Sequence, residues 1–202
     1  QEWHFPLSSL GRWYNEFDKK WEEGKVEHFV GVVNDILWVD IASGTIIGLD
    51  IETGELKHLF TEPNKIIGTA TKPHQQSPHF WLNYDEKRNI LFGFHYDVFG
   101  EINLNESEPT LTFYILEDCT KYQAFCPNLE RYCYDANYFY YLDAFNGKIG
   151  VINRNTKNLD WVYTFSEGST MGILMKIEVS ENHLFVLDSG GTLHIFEREE
   201  VA

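Results

Sequence analysis

Three cysteines, two methionines, six prolines and only 16 basic residues occur among 202. The scarcity of cysteine and that of basic residues each removes a class of function. Cys119, Cys126 and Cys133 are spaced seven apart, with no Cys-x-x-Cys pair and no histidine at zinc spacing. That excludes a zinc-ribbon type site. An odd count excludes a complete disulfide framework and leaves at most one bridge, so the expected state is reduced thiols in a cytoplasmic protein. The 16 basic residues stand against 31 acids, a net charge of −15. Such a chain repels phosphate backbones and anionic membrane surfaces, so neither nucleic acid nor membrane is an expected partner. A basic protein would instead be drawn to it. No apolar run is long enough to span a bilayer and no signal peptide is read, while the start at Gln1 without Met leaves open a removed leader or a trimmed chain.

Catalytic signatures are lacking too. The eight histidines (4, 28, 58, 74, 79, 95, 183, 194) never fall at His-x-x-x-His spacing. There is no Gly-x-Ser-x-Gly elbow. Gly44-Thr45-Ile46-Ile47-Gly48 opens a strand and leads to no Gly-Lys-Ser, so it is not a phosphate loop. Acids are abundant, but abundance identifies no glycosidase pair. The expectation is no enzyme, no cofactor and no metal. Asn105-Glu106-Ser107 matches a glycosylation sequon, a weak signal by itself.

What is present is a repeat. Asn34, Asn89, Asn137 and Asn182 lie 55, 48 and 45 positions apart, and each opens the same pattern. Two residues on come Ile36, Leu91, Phe139 and Leu184; six on come Asp40, His95, Asp143 and Asp188. A turn follows, at Ser43-Gly44, Phe99-Gly100, Asn146-Gly147 and Gly190-Gly191, and then a second alternating strand. Earlier strands are read from Glu27, His79, Glu130 and Met175, later ones from Leu56, Thr110 and Leu159. This spacing fits one four-stranded propeller blade per unit. The fourth unit lacks its last strand. Glu2 to Phe5, closed by Pro6, is expected to supply it and close the ring beside Thr192 to Phe196.

The expected fold is thus all-β: a four-bladed β-propeller closed by an N-terminal strand, as a single domain over 1–202. Its parts are a closing strand at 1–7, a helix at 8–25, and blades at 26–61, 78–116, 129–165 and 174–202. The helix rests on Leu10, Trp13, Tyr14, Phe17 and Trp21 recurring at three to four residues, with Gly24 as its stop. The long connections, Thr61 to Pro78 and Glu117 to Leu129, break the repeat and are expected contact regions. Within the first, Ile66-Ile67 suggests a docked segment.

Gly44 to Leu56, with Thr53-Gly54 after Asp50, resembles the repeat of quinoprotein-like (PQQ-type) propellers. Gly147 to Trp161 is similar, with Lys157 where that family has glycine. The resemblance covers roughly 27–202. It implies the fold and not the quinone, since quinoprotein dehydrogenases use about twice as many blades and an adjacent cysteine pair absent here.

Two functional readings follow. The column Asp40, His95, Asp143, Asp188 would ring a propeller axis and could take a cation or a basic side chain; alternatively each Asp caps its own turn. With Trp13, Tyr14 and Trp21 on the helix, these are the candidate binding residues of a non-catalytic protein-binding module. In general character it looks like bacterial immunity proteins that neutralise basic toxins. The alternative is an enzyme or sugar binder with Trp38 and Tyr141 lining a central pocket.

Overall fold

The computed structural model describes residues 2–15, 18–76, 80–126, 131–170 and 172–198. Phe17, Pro78, His79, Leu129 and Glu130, on which some expectations rest, lie outside them. The chain divides into two compact units, 1–94 with 100–115, and 95–99 with 116–202.

In the first unit, strands β3 (Val26–Val33), β4 (Ile36–Ile41), β5 (Thr45–Asp50) and β6 (Leu56–Phe60) form one antiparallel meander. Its turns follow from local chemistry. Asn34 and Asp35 take φ of 52° and 62°, and Gly44 takes 73°, left-handed conformations that Asn, Asp and Gly tolerate best. At the next turn Asp50 Oδ1 accepts the N–H groups of Glu52 and Thr53 and the Thr53 hydroxyl, and Gly54 follows at φ 73°. The second sheet has the order β7 (Lys65–Ile67), β11 (Leu111–Ile115), β10 (Val98–Asn103), β9 (Ile90–His95), β8 (Asn83–Asp85). β7 is the docked Ile66-Ile67 segment, running parallel to β11 with Phe113 opposite Ile66. Residues 95–99, the hairpin between β9 and β10, group with the second unit.

The second unit holds a four-stranded sheet, β12 (Tyr132–Tyr134), β13 (Tyr138–Asp143), β14 (Lys148–Asn153) and β15 (Asn158–Thr164). Beside it stand three further strands, β16 (Leu174–Val179), β17 (His183–Asp188) and β18 (Leu193–Glu197). Lys157 does the work of the missing glycine. It adopts φ 61°, and its N–H bonds Asn153 O at 2.8 Å, as Gly54 N–H bonds Asp50 O at 2.8 Å. The two sheets share a core of Tyr140, Leu142, Ile149, Leu174, Ile177, Leu184 and Val186. A short helix, α1 (Glu117–Tyr122), begins the connection after β11. The chain is therefore all-β apart from this helix and two 3₁₀ turns, built of propeller-like antiparallel repeats.

Two expectations are corrected. The segment expected as a helix is a β-hairpin, β1 (Arg12–Asn15) and β2 (Lys20–Glu23), preceded by a 3₁₀ turn at Leu7–Leu10. Trp13, Tyr14 and Trp21 are strand formers, and Tyr14 lies opposite Trp21 with ring centroids 5.5 Å apart, a cross-strand aromatic pair. Lys19 at φ 54° makes the reversal. The N-terminus is the second correction, since residues 2–6 form no strand. Trp3 Nε1 donates to Ile51 O at 2.9 Å, and Trp3, Phe5, Leu7 and Leu10 cover Val39, Ile41, Ile47 and Leu49. Burial on the first sheet outweighs edge pairing for three large apolar side chains in six residues. Deleting residues 2–7 should accordingly cost the first unit about 3 kcal/mol in chemical denaturation. Amide exchange in β16–β18 should stay as it was; faster exchange there would restore the closing-strand reading.

Candidate functional site

The second unit has a groove of about 700 Å³ between its two sheets. β13 supplies Tyr138 and Tyr140, β15 supplies Asp160 and Trp161, and the β16–β17 turn supplies Glu181. Ile195, Phe196 and Glu197 of β18, with Arg198 after it, complete the lining.

One end is a closed polar network. Arg198 Nη2 lies 3.1 Å from Asp135 Oδ2 and touches the Tyr140 hydroxyl, while its guanidinium sits 5.2 Å over the Tyr138 ring. Tyr140 donates its hydroxyl to Asp135 Oδ2 at 2.8 Å. Burial would raise the Asp135 carboxyl, but the N–H groups of Asn137 and Tyr138, the Tyr140 hydroxyl and Arg198 together hold it below its ordinary value. Burial, then the bond to Asp135, pushes the Tyr140 phenol up, so it remains a donor. The positive charge of Arg198 is thereby engaged. Asp160, Glu181 and Glu197 are exposed on the rim, and among the described residues Glu181 and Glu197 form no ion pair. The groove presents a negative face.

Its wall is aromatic. Trp161 stacks on Tyr163 at 5.8 Å, and Phe196 meets both edge-on at 6.1 and 4.9 Å. Trp161 and Tyr163 nevertheless stay 40% and 36% exposed.

Of the predicted acidic column, Asp40 belongs to the first unit and His95, Asp143 and Asp188 to the second. Asp40, Asp143 and Asp188 are all buried, yet each is held by its own bonds. Asp143 accepts from the Asn146 backbone and amide and from Phe125 N–H at 3.0 Å; Asp188 accepts from Gly190 and Thr192 N–H. These two cap their turns. Asp40 instead accepts Leu82 N–H at 3.0 Å and pairs with His28 Nδ1 at 3.1 Å, with Trp81 stacked on the imidazole at 5.3 Å. Asp188 has a similar partner in His194 Nε2 at 3.3 Å. His95 is half-buried, its ring against Tyr96 at 4.6 Å. Among the described residues no group of three or more His, Cys, Asp or Glu side chains could hold a metal.

Burial is the chief cause that raises the Asp40 carboxyl, opposed by His28 and the Leu82 N–H. A raised carboxyl contributes stability that is complete below the ordinary carboxylate range and is lost as pH rises through the raised value. The amide oxygen of Asn, placed where Asp40 Oδ2 lies, could still accept from Leu82 N–H and from an N–H at His28 Nδ1. Asp40→Asn should therefore gain on the wild type as pH rises above about 4, by at most about 1.4 kcal/mol per unit. Urea midpoints from pH 4 to 8 measure this, and a pH-independent difference would refute it.

The aromatic candidates divide. Trp21 is 60% exposed, Tyr14 39%, and Trp13 half-buried, all on the hairpin of the first unit. Trp38 and Tyr141 cannot line an open pocket, because both are buried: Trp38 stacks on His58 at 5.1 Å, and Tyr141 donates its hydroxyl to Ala124 O at 2.8 Å. The three cysteines are free, and burial pushes the Cys119 thiol up to about 12. Among the described residues no helix is long and apolar enough to cross a membrane.

The groove residues escaped the sequence reading. In the sequence Trp161 stands only as the end of a repeat. The only available signal was a fourth unit short of a strand.

No family model and no curated protein sequence matches the chain. Solved structures do. The computationally designed Ika8 protein aligns with 87% of this chain and 47% of its own, at 17% identity and TM-score 0.51. BamB from Moraxella catarrhalis aligns with 91% of this chain and 46% of its own, at 16% identity and TM-score 0.47. AztD from Citrobacter koseri, solved in its apo form, aligns with 82% and 42%, at 13% identity and TM-score 0.45. The chain spans about half the length of these structures. At such identity the likeness to Ika8 is one of fold alone.

Proposed function

We propose that the chain is a non-catalytic protein-binding module for a basic partner, its repeats arranged as a four-bladed scaffold. The groove of the second unit carries this reading: an aromatic wall rimmed by Asp160, Glu181 and Glu197, beside an Arg198 that is engaged by Asp135. Apolar aromatic anchors inside a charged rim are the anatomy of a protein interface. The net charge of −15 extends the same field over the whole surface. A toxin neutralised by an immunity protein is the kind of basic partner that fits.

Co-purification from the native host at low salt tests the proposal. A basic protein should be retained and should elute as salt rises. Turnover of a defined small substrate, lost on substituting one groove acid, would replace this reading with an enzymatic one.

A further inference from the structure

The fourth sheet is one strand short among the described residues. β5, β14 and β18 are equivalent third strands, yet only β18 is an edge. The consequence shows residue by residue. Ile47 and Ile149 are 1% and 0% exposed, whereas Leu193 at the same register is 54% exposed. Val151 is 7% exposed, and its counterpart Ile195 is 58% exposed. The aromatic pair Trp161 and Tyr163, on the β15 face toward β18, is left half-open beside the same edge.

The backbone of this edge is ready to pair. Asp188 N–H bonds Thr192 O and Arg198 N–H bonds Asn182 O, while Val186 faces His194 and Leu184 faces Phe196. Antiparallel alternation then turns the N–H and C=O groups of Leu193, Ile195 and Glu197 away from β17. Natural edges are blunted by prolines, bulges or charges along the strand. β18 (Leu-His-Ile-Phe-Glu) has no proline, its pairing with β17 is regular, and its only acid is the last residue.

We infer that β18 takes an extended segment of a basic partner as the fourth strand of this sheet. The inference rests on the protein-binding reading above and specifies its mode. Main-chain bonds to Leu193, Ile195 and Glu197 would supply affinity. Alternate apolar side chains of the added strand would cover Leu193, Ile195 and the Trp161–Tyr163 wall. Its lysines or arginines would meet Glu181, Glu197 and Asp160. Charge decides the occupant. A second copy of this chain would bring the same acids and a further −15 to the edge, whereas a basic strand neutralises them. The chain's own residues 2–6 are committed to the first sheet.

The probe is a capped seven-residue peptide alternating Lys with Val or Ile, titrated into the intact chain and followed by amide hydrogen exchange. Binding should slow exchange at Leu193, Ile195 and Glu197 on the order of ten-fold or more. N-methylating the peptide on its pairing side should weaken binding at least about ten-fold, as should replacing Lys by Glu. Ile195→Pro removes an outward donor at a position an edge tolerates and should abolish the effect; if that variant unfolds, the N-methyl comparison decides alone. A peptide that binds equally with and without N-methylation would overturn strand addition while leaving the basic-partner reading in place. Failure of every basic peptide to bind would overturn the inference, with co-purification of a basic protein still able to uphold that reading. Concentration-dependent protection of these amides without peptide would give the edge to a second copy instead.

Discussion

Gly150→Ala is expected to destabilise the second unit by about 4 kcal/mol. Gly150 sits on β14 directly opposite Tyr141 of β13. A methyl group there would lie 2.1 Å from Tyr141 Cζ and 2.3 Å from its hydroxyl oxygen. The ring has nowhere to go. Tyr141 is fully buried, its hydroxyl donates to Ala124 O at 2.8 Å, and Cys119 Sγ stands 3.7 Å from the Tyr141 hydroxyl oxygen. Burial raises the phenol well above its ordinary value, so the donor role holds at every working pH. Overpacking a filled core costs about 1–3 kcal/mol, and a buried carbonyl left without its donor about 1–3 more. In a chain of this size the melting temperature should fall by roughly 10 °C. Adding Tyr141→Leu to Gly150→Ala should cost less than the sum of the two single changes, since the leucine vacates the space the methyl needs. A fall below about 1 kcal/mol, or strict additivity, would show that the ring relaxes freely.

That contact also marks where sequence reading stops. The glycine of Ile-Gly-Val was visible as part of a repeat, but the tyrosine lying over it was not, because only cross-strand register brings position 150 to 141. What was legible is what local chemistry decides. Asn34 and Asn89 at φ 52° and 50°, Gly44, Gly147 and Gly191 in the left-handed region, and the Asp50 and Asn153 turn bonds all act within a few residues. The strands between them follow. The hairpin at 12–23 was misread because a turn inside the aromatic run resets the phase. Trp13 and Trp21 then sit on opposite strands, although their spacing also fits a helix. The histidine partners of Asp40 and Asp188, 12 and 6 residues away, depend on strand pairing in the same way. The groove required two sheets side by side, the second with three strands among the described residues. Composition foretold its acidity, and nothing local foretold its place.

Reversing the groove's charge should give the largest functional effect. Glu181→Lys combined with Glu197→Lys replaces two exposed, unengaged acids by cations beside Arg198. Association with a basic partner should slow on the order of ten- to a hundred-fold at low ionic strength, while dissociation changes only a few-fold. The acids are on the rim, where hydration keeps their contact energies small and their field acts at long range. Rising salt should erase the difference between variant and wild type, because at about 0.5 M the screening length is only about 4 Å. Trp161→Ala should behave in the opposite way. Its ring is part of the apolar wall and carries no charge, so association should hold while dissociation quickens by roughly thirty-fold, equivalent to about 2 kcal/mol. Surface-plasmon traces for the three proteins across salt concentrations separate these outcomes, with thermal melts confirming that each variant stays folded. An association rate indifferent to salt in the wild type would remove the electrostatic part of the reading. Equal effects of Trp161→Ala and the charge reversal on both rates would place the contact away from this groove.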